Sequence, residues 1–467
     1  MKIGLEVHVQ LNTKTKLFCG CPNSVPKDAQ GASAIQEKPN VHVCEYCIGM
    51  PGSKPRVNKK AIDYAIMIGH ALDCKINSPT FFSRKAYFYP DMGKNFQITQ
   101  YEVPVASGGI MKLGPKKITI KRIQIEEDPA RLVHVGGGIT TAQYVLMDYN
   151  RSGTPLVEIV TEPDFESPKE ARDFLQKLSS ILQYLGVYDP DVEGSMRVDA
   201  NVSVGSVRVE IKNITGFKEV ERALSYEIIR QKNAIRRNSA IARETRAWDA
   251  DANVTRSLRS KEQEEDYGYI FEGDLPSFSF GNDMLAHLRA AIPELPDQKA
   301  KRYGQMKINQ EIAEAIVSEP DLANMFEKVI EKIDTQLAAK WFAGDIKKTL
   351  NYNNLHVRNS KLTAGKIIRL LSSVQNKEIT DHTAEMMLRD MTVKEVQLDD
   401  LGHSSRIHDE KILEKAIQEV LGTNSKAVLD YKSGKTESFN FLVGQVMRKT
   451  QGRGDSDTIR KLLKKLI

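Results

Sequence analysis

The residue types able to do chemistry fall in a few short stretches of the first half of this 467-residue chain. Cys19-Gly-Cys21 and Cys44-Glu-Tyr-Cys47 are two closely spaced thiol pairs, and paired thiolates in a cytosolic chain suit a tetrahedral zinc site of the ribbon kind. Four reduced structural cysteines are the plainer alternative. Four protein ligands leave no open position, so such a zinc is structural rather than catalytic. Glu6 and His8 stand two apart in an alternating segment, where a strand spaces same-face side chains about 6.5–7 Å apart, near enough to converge on one ion. A solvent-facing polar edge has a similar pattern. Glu126-Glu127-Asp128 closes another alternating segment with three carboxylates, which repel unless solvated or neutralised by a cation. A solvated turn is the better reading of that stretch alone.

Lys85, Tyr87, Lys94 and Gln97 surround a Pro90-Asp91 turn, a pattern that suits either an anion site or an aromatic strand pair in a core. Arg151 lies on a loop leading into a strand through Val160. From Met196 to Lys212 two alternating runs flank Gly205-Ser206, a two-residue hairpin turn. That register sets Asn201 opposite Glu210 and Asp199 opposite Lys212, on one face with Arg197 and Arg208. A solvated lattice of ion pairs is one account of this face, and the floor of a site is the other.

The elements that must position these groups are mostly strands. Ile3, Leu5, Val7, Val9 and Leu11 alternate with Gly4, Glu6, His8, Gln10 and Asn12, giving one apolar and one polar face. Between Ile118 and Asp128 the alternation slips at Lys121-Arg122, which predicts a bulge. Helices are predicted from Asn58 to Asp73, which carries an inert buried Cys74 at its end, and from Val220 to Asn238. Another follows Ser167 as N-cap with Pro168 in the first turn.

Hydrophobic residues at 40% and charged residues at 27% describe an ordinary soluble protein of two to four domains. No segment reaches the ~18 apolar residues of a membrane span. Met1 runs directly toward a strand without an apolar leader, so the cytoplasm is the expected compartment. A net charge of +6 mildly favours a polyanionic partner. Ser433-Gly-Lys-Thr436 ends like a phosphate-binding loop, but Leu429 stands where its first glycine belongs. A nucleotide, if bound, needs a different cradle.

Taken together, Gly-Leu-Glu-Val-His-Val (4–9), Arg-Lys-Ala-Tyr-Phe-Tyr-Pro-Asp (84–91), Glu-Glu-Asp (126–128), Asn-Arg-Ser-Gly-Thr-Pro-Leu-Val-Glu-Ile-Val (150–160), Arg-Val-Asp-Ala-Asn-Val-Ser (197–203), Glu-Ile-Lys-Asn (210–213) and Phe-Leu-Val-Gly-Gln-Val-Met (441–447) resemble the B subunit of the tRNA-dependent amidotransferase. That enzyme converts glutamyl-tRNA(Gln) or aspartyl-tRNA(Asn) to the amide form. The resemblance covers essentially the whole chain. Tyr-Ile-Phe-Glu-Gly-Asp-Leu (269–275) departs from the family pattern by lacking its two prolines.

The resemblance implies an α+β fold. A mainly antiparallel β cradle with packed helices (1–285, zinc ribbon-like insertion at 19–47) precedes a helical domain (286–400) and a small helical tail (401–467) that grips tRNA. It implies ATP and Mg²⁺, with Mn²⁺ as an alternative ion. Glu6, His8, Glu127 and Glu210 would surround the metal, Lys94 would gate the phosphorylation site, and Lys85 and Tyr87 would line an ammonia path. Gln97, Arg151, Asp199, Asn201 and Lys212 complete the expected nucleotide contacts. Implied partners are an amidase (A) subunit, a small (C) subunit, misacylated tRNA and the cognate non-discriminating aminoacyl-tRNA synthetase. A longer archaeal paralogue carries an inserted domain, for which Asp274 to Lys299 leaves no room. The rival reading from another class is a zinc-bearing RNA-binding scaffold without catalysis.

In the second half, basic residues from Arg230 to Arg237, then Arg243, Arg246, Arg256 and Arg259, form either a solvated face or a track for phosphates. Leu401 to Arg406 is expected to be a hinge. Beyond it, two or three short helices carry Arg448, Lys449, Arg453, Arg460, Lys461, Lys464 and Lys465, a pattern suited to shape reading of folded RNA.

Overall fold

The computed structural model describes residues 1–23, 38–136, 142–192, 194–260, 268–394, 410–450, 452 and 454–467. The fold is α+β, as expected, and divides into two compact units, Met1–Pro296 and Asp297–Ile467.

The first unit is built on β1 (Lys2–Gln10), whose Ile3, Leu5, Val7 and Val9 are all fully buried. Around it lie β2 (Lys75–Ile76), β5 (Ala106–Leu113), β6 (Lys116–Glu127), β9 (Pro155–Thr161), β10 (Met196–Ser203), β11 (Val209–Ile214), β12 (Glu244–Asp249) and β13 (Val254–Ser260). They form one sheet in the order β13-β12-β11-β10-β1-β9-β6-β5-β2, antiparallel except between β11 and β12. A second sheet orders β14 (Gly268–Phe271), β3 (Ser83–Ala86) and β4 (Phe96–Thr99), and β7 (Arg131–Val135) pairs with β8 (Tyr144–Asp148) as a separate ribbon. Helices α1 (Lys59–Ala71), α2 (Pro168–Tyr184) and α3 (Phe217–Arg236) pack apolar stripes on the large sheet, and α4 (Asn282–Ala290) packs on α1. Ser167 caps α2 by accepting from Glu170 N at 3.2 Å, and Asn58 caps α1 in the same manner.

The alternation of each strand sorts its side chains between the helix-covered core and the opposite face. Leu5 and Val7 go to the core, as do Val157 and Ile159 on β9 and Val198 and Ala200 on β10. The slip at Lys121-Arg122 is a bulge: the β6–β9 register shifts between Ile120 and Arg122. Beyond it Ile123 and Ile125 face the core, and Gln124 and Glu126 face the other way.

In the second unit α5 (Pro296–Gln305), α6 (Gln310–Val317), α7 (Pro320–Ile330), α8 (Thr335–Trp341), α9 (Lys347–Tyr352), α10 (Ala364–Gln375) and α11 (Asp381–Val393) follow one another. Phe326 packs edge-on to both Tyr303 and Phe342 in their core. The last four helices, α12 (Glu410–Thr423), α13 (Ser425–Lys432), α14 (Thr436–Lys449) and α15 (Ser456–Leu466), bury Leu413, Ile417, Leu442, Val446, Ile459 and Leu463 among themselves. The sequence led us to expect two or three helices here. Asn424 and the Ser433-Gly434 turn break what reads as continuous helical pattern. The hinge expected at Leu401–Arg406 lies outside the described residues.

Truncating the centre of β1 tests this architecture. Leu5→Ala is expected to cost about 2–5 kcal/mol, the range for emptying a tightly packed leucine site, and Ser167→Ala only about 1 kcal/mol for a lost cap. Urea unfolding followed by circular dichroism measures both.

Candidate functional site

The face of the large sheet turned away from the core floors a cleft of about 840 Å³. Strand register sets its groups in rows. Gln124, Glu158, His8 and Arg197 pair in turn across β6, β9, β1 and β10; Glu6 pairs with Asp199, and Asn201 with Glu210. Two clusters result. Glu6, Asp199 and Glu210 each bring a carboxylate oxygen within 4.8 Å of the others, and so do His8, Glu126 and Glu158 with one nitrogen and two oxygens.

Cations and amides partly satisfy the first cluster. Lys212 Nζ lies 2.7 Å from Asp199 and 3.4 Å from Glu210, Asn201 donates to Glu6 at 2.9 Å, and Thr245 donates to Glu210 at 3.0 Å. Burial alone would lower the Lys212 ammonium, but Asp199 and Glu210 outweigh it and hold it above its ordinary value. The second cluster is less compensated. Burial, then the charge of Glu158, pushes Glu126 up to about 7; burial, then the charge of Glu6, pushes Glu158 up to about 7. His8 Nε2 stands 3.6 Å from Glu126 and 3.8 Å from Glu158. Gln124 donates to Glu158 at 2.9 Å, yet its own Oε1 is buried without a hydrogen-bond partner among the described residues, as is Arg122 Nε.

The expected set of Glu6, His8, Glu127 and Glu210 is therefore not what the structure brings together. Glu127 has the parity of Ile123 and Ile125 and leaves the sheet on the side opposite to Glu126. There it is almost fully buried, with Lys94 Nζ 2.6 Å from both carboxylate oxygens, Ile98 N donating at 3.0 Å and Tyr46 Oη at 3.4 Å. Lys94 accompanies it there and stacks over the Tyr46 ring, 4.2 Å from the centroid. Lys85 and Gln97 do line the cleft, and Gln97 donates to Glu127 O at 2.8 Å. Tyr87 is half-buried, with the Lys85 ammonium 6.0 Å from its ring centroid. Arg151 clamps Asp128, its Nε 3.0 Å from the carboxylate, while Arg197 grips the same group at 2.8 Å.

Glu126, Glu158 and the Asp128 clamp were not among the site residues expected from sequence. Parity could have found the first two: Glu126 alternates with Ile123 and Ile125, and Glu158 with Val157 and Ile159. Of the basic residues from Arg230 onward, Arg230 and Arg246 are taken up by the buried Glu227 and by Glu244, and Arg256 pairs with Asp249. Arg243 reaches the cleft. The side chain of Arg259 and residue Arg453 lie outside the described residues.

Cys19, Cys21, Cys44 and Cys47 place their sulfurs within 4.8 Å of one another, a set compatible with a structural zinc. The Cys19 hydrogen bond, joined by the fully buried Lys16 3.3 Å away, draws the Cys47 thiol down to about 4. Such a thiolate is the form a metal binds. Residues 24–37, inside the expected ribbon insertion, are outside the described residues. Cys74 is buried apart, its thiol pushed up to about 12 by burial.

Residues 1–286 match the family model described as the GatB/GatE catalytic domain, and residues 324–467 match the GatB domain. The chain is similar to the B subunit of the aspartyl/glutamyl-tRNA(Asn/Gln) amidotransferase of Haloquadratum walsbyi, at 41% identity over 100% of this chain and 96% of the relative. The same-named proteins of Saccharolobus solfataricus (43%, 100% and 99%) and Thermotoga maritima (40%, 100% and 98%) are similar end to end.

The raised carboxyls make a stability prediction. Their pKa rises from 4.5 to about 7 on folding, so the folded chain takes up protons between those values and loses stability as pH rises through that window. Glu126→Gln and Glu158→Gln are thus expected to raise the melting temperature of the metal-free chain by about 2 °C or more at pH 8. The gain should vanish near pH 4.5, and thermal scans at both pH values check it.

Proposed function

This chain belongs to the GatB/GatE family, and from that membership we propose that its cleft activates the side-chain carboxylate of misacylated aspartyl-tRNA(Asn) or glutamyl-tRNA(Gln) for ATP-dependent amidation. The carboxyl is phosphorylated, and ammonia released from glutamine by a partner amidase subunit displaces the phosphate. A small third subunit completes the assembly, and the synthetase that supplies the misacylated tRNA is a further partner.

The observation that carries this reading is the floor of acids. Two carboxylate-rich clusters, one holding two carboxyls so poorly compensated that they titrate near neutrality, sit in an open cleft beside Lys85, Lys212 and Arg197. Glu6, Asp199 and Glu210, with His8, Glu126 and Glu158, would hold Mg²⁺, which neutralises phosphate charge when bound. Oxygen donors of this kind suit a hard cation, and His8 makes Mn²⁺ a good substitute. Asn201 and Lys212 orient the first cluster from β10 and β11. Lys85 adds a positive charge where the transferred phosphate gains negative charge, and the Lys94–Glu127 pair closes the base of the second sheet. Arg197 and Arg151 hold Asp128 so that β6 ends in a fixed place. Water must be kept from an acyl phosphate, and Lys85 with the half-buried Tyr87 marks the side from which ammonia enters.

The four cysteines would hold zinc as a structural clip. We assign residues 1–285 to the cradle, 286–400 to the helical domain and 401–467 to a tRNA-gripping tail, all in the cytoplasm. Among the described residues no helix is long and apolar enough to cross a membrane.

The orientation of β6 separates two substitutions. In the complex with the amidase subunit, Glu126→Gln and Glu210→Gln are expected to lower amidation about 100-fold, the upper range for disturbing a metal's ligand sphere, while sparing glutamine hydrolysis. Glu127→Gln is expected to act on stability, lowering the melting temperature by leaving Lys94 buried without its counter-charge. Formation of ADP and of amidated tRNA, with a thermal scan of each variant, reads the difference. Deleting residues 409–467 is expected to raise the KM for tRNA more than it lowers kcat, and steady-state kinetics with tRNA varied tests the tail.

A further inference from the structure

Charged and amide side chains make up most of the lining of the cleft, and two aromatic rings stand among them. Tyr101 and Tyr269 both line it, and their rings stack with centroids 3.8 Å apart and planes 14° from parallel. Apart from the His8 imidazole, no other lining residue among those described is aromatic. Both tyrosines keep partial exposure.

The second sheet sets this pair in place. Tyr269 on β14 pairs with Lys85 on β3, and Lys85 pairs with Gln97 on β4. Register partners share a face, and all three line the cleft. Two residues beyond Gln97, Thr99 donates to Glu126 at 3.3 Å; two further on, the chain presents Tyr101. The stacked rings therefore share the cleft wall with Thr99, a side chain that touches Glu126. Lys85, the register neighbour of Tyr269, acts electrostatically on both Glu126 and Glu158.

We propose that the Tyr101–Tyr269 stack is a shelf for a nucleobase, seating the planar ring of a bound nucleotide while its phosphates turn toward Lys85 and the carboxylate floor. This rests on the amidotransferase reading above and adds a base-binding subsite to its carboxylate floor. The charge around the rings selects the ligand. The π-faces of the pair offer a stacking surface to a planar ring, and Lys85, the register neighbour of Tyr269, supplies positive charge for the phosphates joined to it. An adenine ring has two sources in this reaction, the nucleoside triphosphate and the 3′-terminal adenosine of the aminoacylated RNA, and both offer the same stacking surface.

The test uses the complex with its amidase subunit and the variants Tyr269→Leu, Tyr101→Leu and Tyr269→Phe. Leucine keeps bulk without a π-face, and phenylalanine keeps the ring. Steady-state amidation is measured with ATP varied, then with misacylated tRNA varied, alongside inhibition by tripolyphosphate, which carries no base. The expected result is a rise of about 5- to 150-fold in one KM for the leucine variants, the range for removing a base-stacking aromatic. Tyr269→Phe should stay near the parent, and tripolyphosphate inhibition should not change. A rise for ATP places the triphosphate's base on the shelf, and a rise for tRNA places the terminal adenosine there. Unchanged KM values for both substrates overturn the proposal, as does an equal loss of tripolyphosphate affinity or an equal effect of Tyr269→Phe. Should the parent complex itself form no amidated tRNA, the amidotransferase reading fails. Binding of a fluorescent 2-aminopurine nucleotide to the parent and leucine forms, read by quenching, then decides the shelf on its own.

Discussion

Everything in the first unit depends on how a two-faced sheet manages buried charge. One face of the nine-stranded sheet is sealed by α1, α2 and α3, so each strand is locked in register: a slip of one residue would drive Glu6 or Glu158 into the hydrocarbon core. The same locking holds the opposite face rigid and lets acids from strands far apart in sequence stand within ångströms of one another. The arrangement is costly. Carboxyls on adjacent strands repel, and burial keeps water from screening them. Asp199 and Glu210 are partly relieved by Lys212, whereas Glu126 and Glu158 share a more distant His8, and Arg122 comes no nearer to Glu158 than 3.8 Å. These weakly relieved acids are the groups that the proposed cation would neutralise.

Glu127 shows the opposite solution only one residue away. Its carboxylate is met by a lysine, a backbone amide and a tyrosine hydroxyl, so its charge is compensated where it stands. Tyr46, which supplies that hydroxyl, sits between two of the four clustered cysteines, and Lys94 follows the turn that packs Gly93 against Ile48. Gly49 approaches the Gly93 carbonyl so closely that an added Cβ would lie 2.4 Å from its oxygen, with φ at +69°. The cysteine loop, the second sheet and the end of β6 therefore hold one another through a handful of short contacts. Lys16 extends this tie: fully buried, it reaches Cys47, His42 O at 2.8 Å and Tyr149 O at 3.1 Å.

Much of this was legible in the residues alone. The alternation of β1, the bulge in β6 and the cap at Ser167 are local patterns governed by local sterics, and each stands where the sequence put it. The β10–β11 hairpin keeps the expected pairing of Asn201 with Glu210, but its strands stop at Ser203 and resume at Val209, so residues 204–208 form a longer connection than the two-residue turn expected at Gly205-Ser206. The cysteine spacing likewise announced a cluster. What sequence left open was which strands become neighbours. Glu158 matters because β9 lies between β1 and β6, an order that no local pattern encodes. The Tyr101–Tyr269 stack joins the segment after β4 to β14, far apart in the sequence of the first unit. Glu127 is a different kind of case: the resemblance groups it with Glu6, His8 and Glu210, while strand parity, applied past the bulge, assigns it to the face opposite Glu126.

That parity argument extends to how the site tolerates change. A bulge resets which residues face the cleft, so every group beyond Arg122 owes its orientation to one extra residue in β6. The two arginines on Asp128 bear on the same point from the far end. Arg151 arrives from the loop before β9 and Arg197 from β10, so the acid they share fixes the end of β6 to strands on either side of β1. With its register set by the bulge and its end held at Asp128, the strand cannot slide to relieve the repulsion between Glu126 and Glu158. The repulsion therefore stays at the carboxylates, and it is there that the proposed cation would act.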